Sequence, residues 1–567
     1  MTLYSPPAAY ALPQLALPRA RITPDSHRPD SRLVDAYGAE AALSDGIMPW
    51  RRFGALTVVA ARDLNGAEAR RAELEGLFGP TALVKAAPRS IERGIVETRR
   101  QRMALGAAHR VPSGESCRHL TRTKITRGVA LIFALLAAGV VAAPKTVLLT
   151  LIAIATLCLA LSTLLRLAAL VFHLSPLRFV GPAPFQSVRA EEDPSRLPFV
   201  SLLVPLFREE HIAERLVTRL GALDYPVSRR EVCLIVEEGD AVTHATLARS
   251  TLPHGFRVIE VPQGELQTKP RALNYALPFT RGTVVGIYDA EDAPEPDQLK
   301  KVVRAFDRQG PDVACIQGVL DFYNARQSWI TRCFAIDYSA WFRLMLPALE
   351  RLGLVVPLGG TTLFFRREAI ETLDGWDAHN VTEDADLGLR LARRGYRTAL
   401  LRTATYEEAT AQTWPWIRQR SRWLKGYLMT YLVHMRRPRA LLSDLGLGRF
   451  FGVQVLFLGT VLQYLLAPLL WGFWGLAFGA GYTPMAALPD GLFPWLISIF
   501  VLSEISVMLV GLAGVSNRSH RWLAPWVPTL MFYYAMGVAA MYKAAGELLH
   551  RPFFWDKTTH GAVSYTH

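Results

Sequence analysis

The amino-acid sequence predicts an α/β domain that is integrated with α-helical transmembrane segments and preceded by a small α+β cytoplasmic domain. In the middle of the chain, short apolar and β-branched runs alternate with helical or loop-like stretches, a pattern typical of a mostly parallel sheet covered on both faces. Apolar stretches long enough to span a bilayer lie on both sides of this segment. Before them, the chain mixes short strand-like runs with charged helical stretches, which indicates a separate small domain.

Composition excludes several classes of protein. Of the 567 residues, 51% are hydrophobic, and 63 Lys and Arg outnumber 49 Asp and Glu to give a net charge of +14. A soluble nucleic-acid-binding protein would rarely be so apolar, so we expect no nucleic-acid partner. The excess of Lys and Arg instead indicates positively charged residues at the ends of membrane segments and a binding site for anionic groups. The five cysteines are scattered without a close pair, which excludes a disulfide framework and a zinc knuckle.

The first 120 residues are predicted to have two parts. Residues 1–34 are rich in proline and interrupted by charges, so we expect them to be disordered and not to act as a signal peptide. Residues 35–120 are predicted to form the α+β cytoplasmic domain, with a strand at 55–60 and helices at 67–77 and 91–105.

Membrane segments are predicted on both sides of the α/β domain. Residues 128–172 are expected to form a transmembrane hairpin, and residues 449–517 two transmembrane helices, with Glu504 facing either a polar path or a helix contact. Residues 424–448 are predicted to form an interfacial helix. The segment 522–550 has prolines near its start, so we expect an interfacial or re-entrant helix there. Lys and Arg flank the ends of the hairpin, which places the α/β domain in the cytoplasm of a multi-pass protein of the bacterial inner (plasma) membrane.

The middle segment contains five predicted strands, and acidic residues follow one of them closely. The runs lie at residues 200–205, 232–236, 258–261, 283–288 and 313–316. Ligands of such sheets bind at the carboxyl ends of the strands, where Asp289, Glu291 and Asp292 follow the fourth run. Carboxylates two residues apart at a strand end can share a divalent cation that neutralises a diphosphate. A solvated turn is the alternative interpretation of this acidic cluster.

Two predicted helices carry further polar candidates. Glu383 and Asp384 lie in the first turn of one helix, which Thr382 can cap, and by itself this pattern indicates only a well-capped helix. The other helix carries three side chains on one face: the amide of Gln419, the guanidinium of Arg422, which can bind an anion, and the aromatic ring of Trp423. An amphipathic interfacial helix is the alternative interpretation of this second pattern.

Taken in chain order, these motifs resemble those of the processive glycosyltransferase family 2 enzymes, such as the cellulose, curdlan and hyaluronan synthases. The resemblance covers about residues 190–561 and rests on Pro205-Leu206-Phe207-Arg208-Glu209, Asp289-Ala290-Glu291-Asp292, Thr382-Glu383-Asp384 and Gln419-x-x-Arg422-Trp423. It implies a GT-A fold over residues 190–423 and inverting transfer of a hexose from a UDP-sugar, with UDP-glucose the first candidate. The acceptor would be a growing β-linked polysaccharide that the protein also translocates, as in exopolysaccharide biosynthesis. The alternative is a non-processive enzyme that acts on a membrane lipid acceptor.

The resemblance also implies a role for each site residue. Asp384, with Glu383 beside it, would be the catalytic base, while Asp289 together with Glu291 or Asp292 would hold Mg²⁺ or Mn²⁺. Substrate would be bound by Pro205, Phe207, Arg208, Glu209, Glu237, Glu238, Lys269, Asn274, Gln419, Arg422, Trp423, Lys557, Thr558 and His560. The last three lie in residues 551–567, which resemble the gating loop that closes over the nucleotide in cellulose synthase.

The N-terminal domain has a resemblance of its own. Residues 35–120 show a weak resemblance to the N-terminal domain of type II secretion ATPases, some relatives of which bind cyclic di-GMP. A regulatory ligand or protein partner is therefore one hypothesis for this domain, and a plain folded appendage is the other.

Overall fold

The computed structural model describes residues 27–175, 196–210, 212–477 and 491–551. The chain divides into two compact units, residues 1–103 and residues 104–567, and each is described by itself. The greater part of the predicted disordered N-terminus and nearly all of the predicted gating loop lie outside the described residues.

The first unit is the small α+β domain that the sequence predicts. Its sheet has the order β1-β2-β3, in which β1 pairs antiparallel and β3 pairs parallel with β2. Its first helix begins inside the segment that the sequence predicts to be disordered, because Asp30 caps it and Leu33 packs into the core. The elements are α1 Ser31–Tyr37, α2 Ala39–Asp45, β1 Ile47–Phe53, β2 Leu56–Ala61, α3 Leu64–Ala69, α4 Arg71–Phe78, β3 Thr81–Lys85 and α5 Pro88–His109.

The second unit begins with two long apolar helices and continues into an α/β domain. The helices are α6 Arg122–Ala142 and α7 Pro144–Leu174. The first half of the domain consists of β4 Val200–Leu206, α8 Ile212–Gly221, β5 Arg230–Glu237, α9 Ala241–Arg249, β6 Phe256–Val261, α10 Lys269–Ala276, β7 Val284–Ile287, β8 Ala293–Pro294 and α11 Gln298–Arg308. The second half consists of β9 Val313–Phe322, α12 Trp329–Ala340, α13 Leu346–Arg351, β10 Leu363–Arg366, α14 Arg367–Thr372, α15 Glu383–Arg393, β11 Arg397–Glu407 and α16 Thr413–His434.

The eight strands form one mixed sheet in the order β6-β5-β4-β7-β10-β9-β11-β8. All five predicted runs are strands, and they run in one direction together with β11, which agrees with the predicted mostly parallel sheet. The strands β8 and β10 run the opposite way, so the sheet is mixed. The sequence analysis missed β8, β10 and β11. The strands β8 and β10 are only two and four residues long, and β11 carries Arg397, Arg402 and Glu407, so its sequence is not an uninterrupted apolar run.

Burial in the core explains why the sequences of the central strands are continuous apolar runs. Residues of β4 and β5 are almost all buried, because helices cover both faces of the sheet. The helix α11 shows the complementary helical pattern, with Leu299, Val302, Val303 and Phe306 buried at intervals of three and four residues. This packing leaves the carboxyl ends of β4, β5, β7, β9 and β11 along one edge of the sheet, where the loops are free to carry polar groups.

Five helical segments are long and apolar enough to cross a membrane, judged by length and composition over the described residues. They are Arg122–Ala142, Pro144–Leu174, Pro438–Gly472, Pro494–Gly514 and Arg521–His550. The first two match the predicted hairpin. The third combines α17 Pro438–Val453, kinked at Gly446, with a π-helix at Gln454–Gly459 and α18 Thr460–Ala477, whereas α19 Leu492–Gly514 stands alone.

The last helical segment has two parts, and its prolines lie near its start as the sequence indicates. A 3₁₀ helix, Arg521–Thr529, contains Pro525 and Pro528 and leads into α20 Leu530–His550, a regular helix of 21 residues. The proline-containing part therefore precedes the α-helix and does not interrupt it. The helix α20 packs along α16, where Trp416 Nε1 donates to Tyr533 Oη at 3.0 Å and Lys425 Nζ donates to Glu547 at 2.9 Å. The predicted interfacial segment 424–448 comprises the end of α16 and the start of α17.

Candidate active site

A cavity of about 300 Å³, here called the first cavity, opens at the carboxyl edge of the sheet. It lies beyond β4, β5 and β7, where the sequence predicts a ligand site. The structure brings together in its lining eleven of the predicted site residues, Pro205, Phe207, Glu209, Glu237, Lys269, Asp289, Glu291, Glu383, Asp384, Arg422 and Trp423. These residues come from six segments of the chain, and the fold alone makes them neighbours.

An ion pair between Lys269 and Asp289 lies at the centre of the first cavity. Lys269 Nζ is 2.5 Å from Asp289 Oδ1 and donates a second hydrogen bond of 2.8 Å to the carbonyl oxygen of Gly360. Burial alone lowers the pKa of Lys269, but the carboxylates of Asp289 and Glu383 raise it above its ordinary value. Lys269 is therefore a permanent cation at the start of α10, suited to binding an anionic group.

The two acids of the Thr382-Glu383-Asp384 motif begin α15 and face the first cavity. Burial raises the pKa of Asp384, although the Ala385 N–H, which donates to Asp384 Oδ1 at 2.8 Å, opposes the shift. Burial raises the pKa of Glu383 to about 7, and the charge of Asp384 adds to the shift. A Cβ atom added to Gly360 would lie 3.5 Å from Asp384 Oδ2, so the Gly360 backbone passes close beside this carboxyl group.

Thr382 does not cap α15 as the sequence predicts. Its side chain makes no capping hydrogen bond, and its backbone N–H donates to Asn380 Oδ1 at 3.0 Å. The Thr382 side chain packs instead against Gly426 of α16, where a side chain would overlap its hydroxyl and methyl groups. Close approach of α16 therefore positions the first turn of α15.

The residues after β4 and β5 form one wall of the first cavity. Burial raises the pKa of Glu237 to about 7, even though Arg271 lies 3.1 Å from its carboxylate. Arg208 has a left-handed backbone, with φ of 57°, and its guanidinium lies over the ring of Phe207 at 5.2 Å. The conformation at Arg208 is held by Asp240, which accepts from the Arg208 N–H at 2.5 Å.

Three predicted substrate-binding residues line neither the first cavity nor the second cavity described below. Asn274 is buried and donates to the carbonyl oxygens of Ala107 at 2.9 Å and Trp376 at 2.7 Å, which is a structural role. Glu238 is exposed and accepts from the Gln263 N–H at 3.1 Å. Arg208 flanks the lining without being part of it. The predicted residues Lys557, Thr558 and His560 lie outside the described residues.

The three acidic residues after β7 have two different roles. Asp289 and Glu291 line the first cavity. Asp292 is fully buried behind it and accepts from the Asp289 N–H at 2.8 Å and from the Thr361 hydroxyl. Asp292 therefore supports the loop, and Glu291 is the carboxylate in register with Asp289.

The residues present fit a divalent cation that is shared with a ligand. Among the described residues, no three His, Cys, Asp or Glu side chains cluster as a complete metal cage. Mg²⁺ and Mn²⁺ are commonly held by one or two carboxylates with substrate phosphates completing the coordination shell, and Asp289 and Glu291 provide those carboxylates.

A second cavity of about 320 Å³ adjoins the first. The predicted helix face of α16 lines it as expected, with Gln419, Arg422 and Trp423 all present. Arg422 and Trp423 line both cavities, as do Asp289, Glu291 and Asp384. The carboxyl group of Asp384 is therefore open to ligands from two sides.

Several lining residues of the second cavity were missed in the sequence analysis. Glu407 ends β11 and Glu408 follows it, on the same edge of the sheet as the end of β7. The strand-end rule that identified Asp289 was not applied to them, because β11 was not among the predicted strands. Arg420 lies inside the α16 motif, and its guanidinium packs 4.7 Å from the centre of the Trp423 ring. Asp337 lies on α12, and no sequence pattern indicates it.

Known proteins resemble the part of the chain that holds both cavities. Residues 198–426 match the family described as "Glycosyltransferase like family 2". The beta-monoglucosyldiacylglycerol synthase of Trichormus variabilis is 30% identical over 260 residues, which cover 45% of this chain and 53% of that protein. The chain thus spans about half the length of that relative. Cellulose synthase 1 of Komagataeibacter xylinus is 28% identical over 312 residues, or 53% of this chain and 19% of that protein.

A solved structure shows a lower level of similarity. The mannosyltransferase PcManGT from Pyrobaculum calidifontis, in complex with GDP-Man and Mn²⁺, is 20% identical, with a TM-score of 0.45, and the match covers 70% of this chain and 99% of that one. None of these findings supports the resemblance of residues 35–120 to secretion ATPases. Residues 198–426 are thus similar to family 2 glycosyltransferase domains, the fold is GT-A-like, and the matches support a hexosyltransferase.

Proposed function

We propose that this protein is a membrane-embedded inverting glycosyltransferase that transfers a hexose from a UDP-sugar to an acceptor hydroxyl group. The observation that carries the proposal is the convergence of Lys269, Asp289, Asp384, Arg422 and Trp423 on one cavity, which supplies anion binding, a base and a sugar-stacking surface together. The matches to named glycosyltransferases give independent support for the reaction class.

The donor would occupy the first cavity. The nucleoside would lie against the wall formed after β4 and β5, around Phe207 and Glu237, and the diphosphate would lie near Lys269. Asp289 and Glu291 would hold Mg²⁺ or Mn²⁺, which supplies positive charge to the leaving diphosphate when bound. Arg422 lies on the side shared with the second cavity, where its guanidinium can stabilise the same developing charge.

The acceptor would approach Asp384 from the second cavity. A hydroxyl group is a poor nucleophile, and a carboxylate within hydrogen-bond reach can remove its proton as the oxygen attacks the anomeric carbon. The raised pKa of Asp384, caused by burial, makes this carboxylate a stronger base than an exposed aspartate. In a single displacement the acceptor oxygen would enter on the face of the anomeric carbon opposite the leaving diphosphate, which would invert the configuration at that carbon.

Two acceptor classes are compatible with this arrangement. A growing polysaccharide is supported by the similarity to cellulose synthase, and a membrane lipid is supported by the similarity to a glucosyldiacylglycerol synthase. Both acceptors explain why the α/β domain is joined to helices that are apolar enough to cross a membrane. The basic flanks of the first hairpin support a cytoplasmic position for the α/β domain, in the bacterial inner membrane. A regulatory or docking role for the N-terminal domain remains a prediction.

A donor screen tests the proposed function. The purified full-length protein in lipid nanodiscs should release UDP from one UDP-sugar faster than from the others, and UDP-glucose is the first candidate. A chelator such as EDTA should abolish the release, and added Mg²⁺ or Mn²⁺ should restore it. Release that is equal for all nucleotide sugars, or unaffected by the chelator, would contradict the assignment of the first cavity.

A further inference from the structure

The two arginines of the α16 motif have different surroundings. Arg422 lines both cavities, whereas Arg420 lines the second cavity alone. The guanidinium group of Arg420 forms an ion pair with Asp337 of α12 and donates a hydrogen bond of 2.7 Å to Tyr533 Oη of α20. Over the described part of the chain, Asp337 is the one carboxylate within ion-pair distance of Arg420. Arg420 therefore has a counter-charge within the protein and is not placed to neutralise a ligand.

Arg420 packs against aromatic rings, one of which belongs to the active site. Its guanidinium carbon lies over the Trp423 ring, 4.7 Å from the ring centre. The same carbon lies 5.0 Å from the ring centre of Phe334 and 5.3 Å from that of Trp416. Guanidinium groups are attracted to the faces of aromatic rings, and to Trp most strongly. Because Trp423 lines both cavities, the place of Arg420 influences the position of an aromatic surface in the active site.

Asp337 connects Arg420 to two other helices. It lies on α12, and the carboxylate oxygen that does not pair with Arg420 accepts a hydrogen bond of 2.9 Å from Tyr534 Oη of α20. Only 18% of the Asp337 side chain is exposed, so water can replace its charge only in part. Without this carboxylate, the Arg420 guanidinium would lack a counter-charge in a largely aromatic surrounding, and its side chain would turn away from Trp423.

We propose that Asp337 is a positioning residue for glycosyl transfer, and that it acts through Arg420 on the ring of Trp423. This inference rests on the proposed function, in which Trp423 stacks on a sugar. Asp337 also lines the second cavity, so direct contact with the acceptor is the competing explanation. Both of its carboxylate oxygens already accept hydrogen bonds from protein groups, which favours the positioning role. Only the positioning role requires Trp423 to be present.

Fluorine NMR of the ring tests the positioning step. The full-length protein in lipid nanodiscs would be labelled with 5-fluorotryptophan, and the Trp423 signal would be assigned from its loss in Trp423→Phe. We expect Asp337→Asn to shift or broaden this signal, because the ring loses its fixed contact with Arg420. The signal of Trp495, an exposed residue of α19 assigned in the same way, should stay in place. An unmoved Trp423 signal would overturn the proposal.

Steady-state kinetics test the consequence for transfer. The donor would be UDP-glucose, or the nucleotide sugar that the donor screen selects, and the acceptors would be cellopentaose and dioleoylglycerol. With the acceptor that the wild type uses, Asp337→Asn should raise the acceptor KM about ten-fold and leave the donor KM within about two-fold. Asp337→Glu keeps the negative charge and should recover most of the loss. An unchanged acceptor KM, or an equal rise in the donor KM, would contradict the positioning role.

A double-variant comparison separates positioning from direct contact. In a Trp423→Ala background, Asp337→Asn should lower kcat/KM for the acceptor by less than about two-fold further, because the ring through which Asp337 acts is gone. A further loss of about ten-fold in that background would show direct contact with the acceptor and would overturn the proposal. The control Asp224→Asn removes a carboxylate from a surface ion pair with Lys300 and should change neither KM.

Two further outcomes are distinguishable. If Asp337→Asn fails to fold, the double variant Asp337→Asn and Arg420→Gln leaves neither charge unpaired and replaces it in each measurement. If the wild type released UDP from no nucleotide sugar, the proposed function would fail and this inference with it. If UDP were released but neither acceptor received sugar, the fluorine signal would decide the positioning role. Transfer with an unchanged acceptor KM in Asp337→Asn would overturn this inference alone.

Discussion

The first and second cavities meet at Asp384 but are constructed differently. In the first cavity, Lys269 is paired with Asp289, and Glu237 is paired with Arg271, which lies outside the lining; these residues come from β5, α10 and the loop after β7. The second cavity has the same balance of lining charges, six carboxyl groups to two cationic groups, but its lining comes from α12, α16, α18 and the end of β11. The contrast indicates that the α/β domain prepares the donor side, whereas the acceptor side exists only where that domain meets the apolar helices.

The substitution Asp384→Asn changes the residue at which the two cavities meet, and of the three substitutions it should lower the transfer rate most. An amide cannot take up the acceptor proton, so transfer should fall roughly 10²- to 10⁴-fold. Donor affinity, measured by nucleotide-sugar titration, should stay within a few-fold because the pairing within the first cavity is untouched. The control Asp312→Asn removes a carboxylate from a surface ion pair with Arg397 and should leave transfer unchanged. Transfer above about a tenth of the wild-type rate in Asp384→Asn would remove Asp384 from the role of base.

The substitution Gly426→Ala tests whether the second cavity's helix positions the first cavity's acids. The new methyl group would overlap Thr382 and displace the first turn of α15, an overpacking change that typically costs about 1–3 kcal/mol. We expect transfer to fall about ten-fold and the melting temperature to decrease, with partial recovery in the double variant Gly426→Ala and Thr382→Ala. Gly448→Ala, where a Cβ meets no atom within 4 Å, is the matched control. Unchanged transfer in Gly426→Ala would show that α15 does not depend on this contact.

The substitution Glu383→Gln should have the smallest effect and should appear in the pH profile of kcat/KM. Asp384 must be ionised to act as a base, so activity is lost as the pH falls through its raised pKa. Glu383 has a pKa of about 7, and its negative charge above that pH disfavours ionisation of the neighbouring carboxyl group. The neutral amide should therefore lower the pKa of Asp384 and move the acid limb to lower pH. A limb that moves to higher pH would mean that Glu383 does not repel the base.

Local patterns predicted the donor side better than the acceptor side. Asp289, Lys269 and the Glu383-Asp384 pair follow strands or begin helices, so a strand-end rule and a motif order identify them. Asn274 lies outside both cavity linings and bridges Ala107 and Trp376, and a buried amide of this kind looks the same in sequence as one that contacts a ligand. Glu407 was missed, since its significance depends on β11 lying beside β9, a neighbour more than seventy residues earlier in the chain.

The sequence by itself determined five strands of the large sheet, the long apolar helices and the chemical types at the active site, because each follows from periodicity, length or side-chain chemistry over a few residues. Only the tertiary structure decided which acid of the Glu291-Asp292 pair faces the first cavity, since the Thr361 hydroxyl draws Asp292 into the core. The second cavity was also decided only by tertiary structure. Asp337, Thr460 and Tyr464 line it from separate helices, and packing of those helices against one another creates a space that no single segment encodes.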